Sequence, residues 1–271
     1  MIFAHDKGRL CNNLLQYGHV YAWGREHGRQ TMSMRFAYKY RYFNICHTRR
    51  HNILSYLFAK YGAKWGLLPV AEFDEAGKDY STEEQMMLSH SNIVVEGWYA
   101  RWYDLFLKYR EEIVRLFAFD DGVKVRPDRL MASVPAATLK LGLHVRRGDY
   151  KTWHEGRYYY TDGQYIGFVR QFLAMHTGRD VHVFVCGNDP AIDRDGWRNA
   201  LAGTAVDFPC GSPGEDLYLL SRCDFLIGPP STFSLVAAMY RDVPLCWVSD
   251  ASKPLTSGSF SHFDQLFRNI E

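Results

Sequence analysis

The sequence contains no uninterrupted apolar run of about 18 residues, which is the length a helix needs to cross a membrane. Its first residues, MIFAHDKGRL, also lack the long apolar core of a secretory signal. Both absences predict a soluble, cytoplasmic protein with no transmembrane segment.

A large excess of one charge is missing as well. The formal net charge of the 271 residues is only +2, so the overall balance gives no reason to expect nucleic acid or an anionic membrane as a partner. Any anion must therefore be bound by a local group of residues.

The six cysteines form no C-x-x-C pair and no zinc-type spacing. Several of them lie inside apolar runs. This pattern predicts buried free thiols in a reducing compartment, with no metal ligands among them.

What the sequence does contain is typical of a folded α/β protein, since 47% of its residues are hydrophobic and 15% are aromatic. Short apolar segments alternate with segments of helical spacing, which predicts parallel sheets covered by helices. The stretch WYDLFLKYREEIVRLFAF predicts one long amphipathic helix, and residues 120–138, with two prolines, indicate a linker. We therefore expect domains at 1–125 and 137–262 and a C-terminal tail at 263–271.

Three loops of the second half, HVRRGD, VCGND and IGPPSTFS, follow predicted strands. Because the carboxyl ends of parallel strands meet at one edge of a sheet, these loops are expected to converge there. Side chains of consecutive strand residues point to opposite faces, so Arg146 and Arg147 should divide their roles. One would hold a phosphate and the other support it, and we favour Arg147 for the phosphate. The alternative is that both arginines only cap the sheet edge through Asp149.

Two helix starts carry further signals. Ser231 or Thr232 begins the helix after the prolines, which suits either a phosphate site or ordinary capping. Glu215 and Asp216 begin another helix, where a carboxylate either favours the dipole or accepts the N–H donors of a guanine edge. The acidic string DRD at 193–195 predicts an exposed helix start rather than a metal site.

Four segments in order resemble the GDP-fucose-dependent fucosyltransferases, and most of all the α-1,2 group. HVRRGD resembles the H-x-R-R-x-D motif of these enzymes, and GRLCNNLLQY resembles the opening motif of the α-1,2 group. EGWYARWYDLFLKYREEIVRLFAF and GEDLYLLSRCDFLIGPPSTFSLVAA are similar to two later blocks of that group. The chain differs from these patterns at Cys11, at Asn13 and in lacking tryptophans after STFS. These differences concern the acceptor more than the donor.

The resemblance implies a GT-B architecture, in which two Rossmann-like domains face each other across a cleft. It implies that the C-terminal half holds the GDP-sugar donor, that the GRLCNN loop belongs to the acceptor side, and that no metal or other cofactor is needed. The expected donor-binding residues include the two arginines and a further set: Asn12, His144, Asp189, Asp216, Ser231, Thr232 and Phe233. Arg147 would neutralise the β-phosphate.

The resulting hypothesis is an inverting transfer of L-fucose from GDP-β-L-fucose to a glycan hydroxyl, α-1,2 to galactose. Arg147, Asp149 and Glu155 are the expected catalytic residues, the two carboxylates being alternative general bases, with His154 a weaker one. The alternatives are an α-1,6 or other GDP-sugar transferase on the same fold, or a catalytically silent protein that binds nucleotide or glycan.

Overall fold

A computed structural model describes residues 1–5, 8–35, 40–187 and 189–270. The chain divides into two compact units, Met1–Asp120 and Asp121–Glu271. Asp6 and Lys7, which precede the GRLCNN segment, and Asn188 of the predicted loop VCGND lie outside the described residues.

The strands, in chain order, are β1 (Ile2–His5), β2 (Thr31–Ser33), β3 (Val70–Glu72), β4 (Ile93–Glu96), β5 (Leu139–His144), β6 (Val181–Cys186), β7 (Ala205–Asp207), β8 (Phe225–Gly228) and β9 (Leu245–Trp247). The α-helices are α1 (Leu10–Glu26), α2 (Ile53–Lys64), α3 (Ser81–Ser89), α4 (Tyr103–Lys108), α5 (Arg110–Leu116), α6 (Asp121–Ala132), α7 (Asp162–Met175), α8 (Arg194–Ala200), α9 (Pro213–Ser221), α10 (Thr232–Arg241) and α11 (Phe263–Phe267).

The first unit is built on a parallel sheet of strand order β2-β1-β4-β3. Its central strands β1 and β4 are apolar and nearly fully buried, as expected of strands covered on both faces. His5 and Glu96, their last residues, pair in register, so two polar side chains end the two central strands together.

The second unit is built on a parallel sheet of strand order β7-β6-β5-β8-β9. Numbered within the unit this is the order 3-2-1-4-5 of a Rossmann fold, whose ligand crevice lies where the order reverses. In this sheet the reversal falls between β5 and β8. Capping boxes at Thr161 and Ser212 fix where α7 and α9 start, after the carboxyl ends of β5 and β7. The expected α/β class with two Rossmann-like halves is confirmed.

Two expectations about elements need correction. The predicted long helix is broken into α4 and α5 at Tyr109, whose backbone leaves the helical region at φ −103 and ψ 14. The predicted linker 120–138 is largely helix α6, with Pro127 inside it. Helix α6 is joined to α9 by a 2.9 Å hydrogen bond from the Tyr218 hydroxyl to Asp128, and Pro127 itself is buried, so packing offsets part of the cost of the proline. Residues 121–136 and residues 263–270 lie in the second compact unit.

All six cysteines are free, and Cys11, Cys186, Cys223 and Cys246 are buried, as predicted. Within the described residues, no helix combines the length and apolar character that a membrane crossing requires.

Candidate functional site

The three predicted loops of the second unit do converge. The loop after β5 is joined to the loop after β6 by a 3.0 Å ion pair between Arg147 and Asp189. It is joined to the loop after β8 by a hydrogen bond from the Tyr150 hydroxyl to the Pro230 carbonyl. The carboxyl edge of the sheet, at the reversal of strand order, is therefore one connected group of residues.

Two glycines permit this close approach. A Cβ atom on Gly187, after β6, would lie 2.5 Å from the carbonyl oxygen of Val145. A Cβ atom on Gly228, at the end of β8, would lie 3.0 Å from the carbonyl oxygen of His144. Glycine at both positions lets the neighbouring loops pack against the backbone of the arginine strand.

Arg147 is the buried member of the arginine pair, with its side chain only 6% exposed. Its guanidinium donates to Asp162, to Asp189 at 3.0 Å, and to the carbonyl of Tyr160 at 3.0 Å. Each nitrogen of the guanidinium is thus bonded to the protein itself. These bonds give Arg147 a supporting role in this sheet edge, and its expected contact with a phosphate stays a prediction.

Arg146 lies on the other side of the strand end, as alternation requires. One terminal nitrogen of its guanidinium pairs with Asp149 at 2.9 Å, and the group sits 5.4 Å from the centre of the Tyr150 ring. Its Nε is buried and has no hydrogen-bond partner in the described part of the chain. A buried, permanently charged donor without a partner favours a ligand oxygen at this place.

His144 and Phe233 form an aromatic pair beside the arginines, with ring centres 5.0 Å apart and planes tilted by 32°. Burial lowers the pKa of His144 to about 4, so its imidazole is neutral at physiological pH. Within the described ranges its Nδ1 is buried and has no hydrogen-bond partner. The pair offers a flat apolar surface next to a polar atom.

The start of α10 is capped as predicted. The Ser231 side chain accepts a hydrogen bond of 3.2 Å from the Phe233 amide, and Thr232 is the first residue of the helix. Ser231 therefore caps the helix, and the amides of the first helical turn lie at the carboxyl edge of the sheet, beside the loop after β8.

The two acidic residues at the start of α9 have different roles. Glu215 forms a capping box with Ser212, so its role is structural. Asp216 is 8% exposed and accepts a 3.1 Å hydrogen bond from the Gly211 amide. Burial, followed by the charge of Glu215, raises the pKa of Asp216 to about 6. A carboxylate that is costly to ionise in the free protein suits a partner with N–H donors.

The loop that follows the arginines carries the expected general bases. Asp149 is paired with Arg146, and Glu155 is exposed. His154 and Glu155 adopt left-handed φ values of 47° and 58°. Left-handed backbone at two consecutive non-glycine residues costs energy and is common near functional sites.

Asp189 and Asn12, both expected to bind the donor, lie in different compact units of the chain. Asp189 pairs with Arg147 and accepts a 2.9 Å hydrogen bond from the Ala191 amide, so it supports the arginine. Asn12 lies in the first turn of α1, because helix begins at Leu10 and most of the predicted GRLCNN loop is helical.

Sequence reasoning missed two supporting residues. Asp162 bonds Arg147 and accepts a 3.0 Å hydrogen bond from the Asp193 amide, and these bonds lower its pKa although burial alone would raise it. Buried Asn13 donates to the carbonyls of Gly8 at 2.8 Å and Arg9 at 2.7 Å, which fixes the turn before α1. The signal for Asp162 was available, because it follows Thr161 in the capping sequence T-x-x-Q.

The DRD string starts a helix as predicted, with the Asp193 side chain accepting a 3.0 Å hydrogen bond from the Gly196 amide. Among the described residues, no group of three or more His, Cys, Asp or Glu side chains is arranged to hold a metal ion.

Comparisons of the sequence find relatives of one kind. The chain is 24% identical over 254 residues to galactoside alpha-(1,2)-fucosyltransferase 2 of Hylobates lar, covering 85% of this chain and 66% of that protein. It is 27% identical over 204 residues to galactoside alpha-(1,2)-fucosyltransferase 1 of Rattus norvegicus, covering 70% of this chain and 51% of that protein. The chain therefore spans about two thirds of one curated relative and half of the other. No protein-family model matches.

Solved structures that share the fold include two proteins described as fucosyltransferases. A mutant of Arabidopsis thaliana FUT1 in complex with GDP superposes with a TM-score of 0.65 at 12% identity, over 96% of this chain and 73% of that chain. The fucosyltransferase NodZ from Bradyrhizobium superposes with a TM-score of 0.56 at 14% identity, over 96% and 97% of the two chains. The resemblance expected from the sequence motifs is confirmed, and so is the fold.

Proposed function

We propose that the chain transfers L-fucose from GDP-β-L-fucose to a hydroxyl of a glycan acceptor. The observation that carries this proposal is the partly buried Arg146, whose Nε has no protein partner in the described residues, at the strand-order reversal of a Rossmann-like sheet. The similarity to galactoside alpha-(1,2)-fucosyltransferases supports both the donor and the α-1,2 linkage to galactose.

In this proposal the second unit binds the donor. Arg146 and the amides that start α10 hold the diphosphate, and Ser231 and Thr232 add hydroxyl groups. Phe233 and His144 lie against the guanosine, and Asp216 accepts the N–H groups of the guanine edge. The loop after β5 is held in position by the ion pairs of Arg147 with Asp162 and Asp189.

The reaction is a single displacement. The acceptor oxygen forms a bond to C1 of fucose while the bond from C1 to the β-phosphate oxygen breaks, and its electron pair leaves with GDP. The configuration at C1 changes from β to α. Arg146 stabilises the negative charge that develops on the departing diphosphate, so the protein supplies by a fixed guanidinium what a divalent cation supplies elsewhere. We propose that no metal takes part.

The proton of the acceptor hydroxyl needs a base. Of the two carboxylates, Asp149 is already paired with Arg146, whereas the Glu155 carboxylate has no polar partner in the described chain. Its exposed side chain projects from the strained loop after the arginines. We therefore propose Glu155 as the general base.

A second candidate function is transfer of fucose in an α-1,6 linkage, because NodZ alpha-1,6-fucosyltransferase shares the fold with a TM-score of 0.55. The deciding experiment incubates the protein with GDP-fucose and lactose and assigns the linkage of the product by NMR. An α-1,2-fucosyl galactose supports the proposal, and an α-1,6 product contradicts the linkage. Thermal stabilisation by GDP-mannose but not by GDP-fucose would contradict the donor, and GDP binding without transfer to any glycan would identify a silent binding protein.

A further inference from the structure

The first unit contains a cavity of about 320 Å³ between α2 and the ends of the central strands. It is lined by His5, Met34, Arg35, Tyr56, Lys60, Ala63, Val70, Val94 and Glu96. The volume lies at the lower end of the range of about 300–1,000 Å³ for small-molecule pockets. One sugar unit fits such a space, and an extended chain does not.

The position of the cavity follows from the fold. His5 and Glu96 are the last residues of β1 and β4, and they face the same side of the sheet as Phe3 and Val94. Helix α2 packs on that side, since the rings of Phe3 and Phe58 lie 5.9 Å apart. The cavity therefore opens at the carboxyl edge of a parallel sheet, the usual location for a ligand.

A chain of hydrogen bonds crosses the cavity wall. Arg35 can only donate, so its 3.0 Å contact makes Nε2 of His5 an acceptor. The Nδ1 of His5 then carries the proton and donates to Glu96 at 2.8 Å. The charge of Glu96 is thus engaged with His5, and its second carboxylate oxygen is left to accept a hydrogen bond from a ligand hydroxyl.

Lys60 adds a second cation, beside Arg35, to the described lining of the cavity. Its ammonium lies 5.7 Å from the centre of the Tyr56 ring and 5.6 Å from that of Tyr61. No carboxylate of the described chain forms an ion pair with it. Among the described residues that line the cavity, Lys60 and Arg35 are cations and Glu96 is a carboxylate, and the other side chains are aromatic or aliphatic.

We propose that this cavity binds a negatively charged sugar unit of the acceptor, a uronic acid, with its carboxylate toward Lys60 and Arg35. Glu96 accepts a ring hydroxyl, and Tyr56 contacts the apolar face of the sugar. The inference rests on the proposed function in one respect, namely that the acceptor is a glycan.

The test is a titration monitored by ligand-observed NMR, with methyl α-D-galacturonide and methyl α-D-galactoside as probes. Wild-type protein is expected to bind the galacturonide about tenfold more tightly than the galactoside, the effect of one charge-assisted hydrogen bond. Lys60→Gln should remove that preference. Lys64→Gln is the matched control, because Lys64 is exposed on the same helix and does not line the cavity.

Equal affinity for the two probes, no binding of either, or equal losses in the two lysine variants would overturn the inference. So would competition by inorganic phosphate as strong as that by the galacturonide, since the site would then bind any anion. GDP binding, measured on the same samples by calorimetry, separates the two proposals. If wild-type protein binds GDP but not the galacturonide, this inference alone is contradicted. If wild-type protein does not bind GDP, the proposed function is contradicted.

Discussion

The two sheets end in polar residues of different character. In the second unit the charges at the carboxyl edge interlock, and the central Arg147 side chain is 6% exposed between two aspartates. In the first unit the corresponding side chains, His5 and Glu96, are 35% and 22% exposed and line a cavity. An interlocked edge suits a fixed group such as a diphosphate, whereas an open edge suits a ligand that varies.

The contrast between the two sheet edges is tested most strongly by a substitution of Arg146. Arg146→Ala should reduce fucosyl transfer by about 100-fold or more, the usual effect of removing one group that stabilises transition-state charge. The measurement is the initial rate of transfer from GDP-fucose. Arg157→Ala is the matched control, because Arg157 is exposed on the same loop and stacks on Tyr158. Equal rates for Arg146→Ala and wild-type protein would refute the role of Arg146.

Arg147 should affect folding instead. Arg147→Ala leaves Asp162 and Asp189 without their partner, so we expect the free energy of unfolding to fall by about 3 kcal/mol, as for other broken buried ion pairs. Chemical denaturation measures this difference, and Arg146→Ala should change the free energy of unfolding far less. If the two variants were equally stable, the division of roles between the arginines would be wrong.

The role of Asp216 at the edge of the second sheet is tested by the pH dependence of GDP binding. Because burial raises its pKa to about 6, Asp216 is mostly protonated at pH 5 and ionised at pH 7.5. The proposed contact of Asp216 with guanine uses the ionised form, so GDP should bind about tenfold more weakly at pH 5 than at pH 7.5. Calorimetry of Asp216→Asn should give weak binding with a smaller pH dependence than in wild-type protein, because only the phosphate of GDP still titrates in this range.

The same carboxyl group should affect stability with the opposite sign. A pKa raised on folding contributes stability that is fully present below the unfolded pKa and lost as pH rises through about 6. Asp216→Asn should therefore raise the melting temperature at pH 7.5 more than at pH 4. A decrease at pH 7.5 would contradict the assignment.

The smallest expected effect is that of a chelator. If the guanidinium of Arg146 replaces a cation, EDTA should change the transfer rate by less than about twofold, whereas removal of an essential metal abolishes activity. Restoration of a lost rate by Mg²⁺ or Mn²⁺ would contradict the metal-independent mechanism.

Local sequence signals predicted much of the second unit. Strands followed by polar loops, and capping residues before apolar periods, located β5 to β9 and the helices between them. Helix α6 was missed because Pro127 and its charged residues resemble a linker, and its partner α9 is distant in sequence. Propensity gives no information about such a contact.

The division of roles between the arginines could not be predicted for a related reason. Alternation along the strand required Arg146 and Arg147 to differ, but not which of them meets carboxylates. Asp162 and Asp189 reach Arg147 from α7 and from the loop after β6, and only the strand order brings them there.

The central claim is that Arg146 contacts the diphosphate while Arg147 supports the loop. It is tested most directly by calorimetric titration of GDP and of guanosine into wild-type protein and Arg146→Ala. We expect wild-type protein to bind GDP far more tightly than guanosine, and Arg146→Ala to bind the two with nearly equal affinity. A variant that keeps the wild-type preference for GDP would contradict the claim.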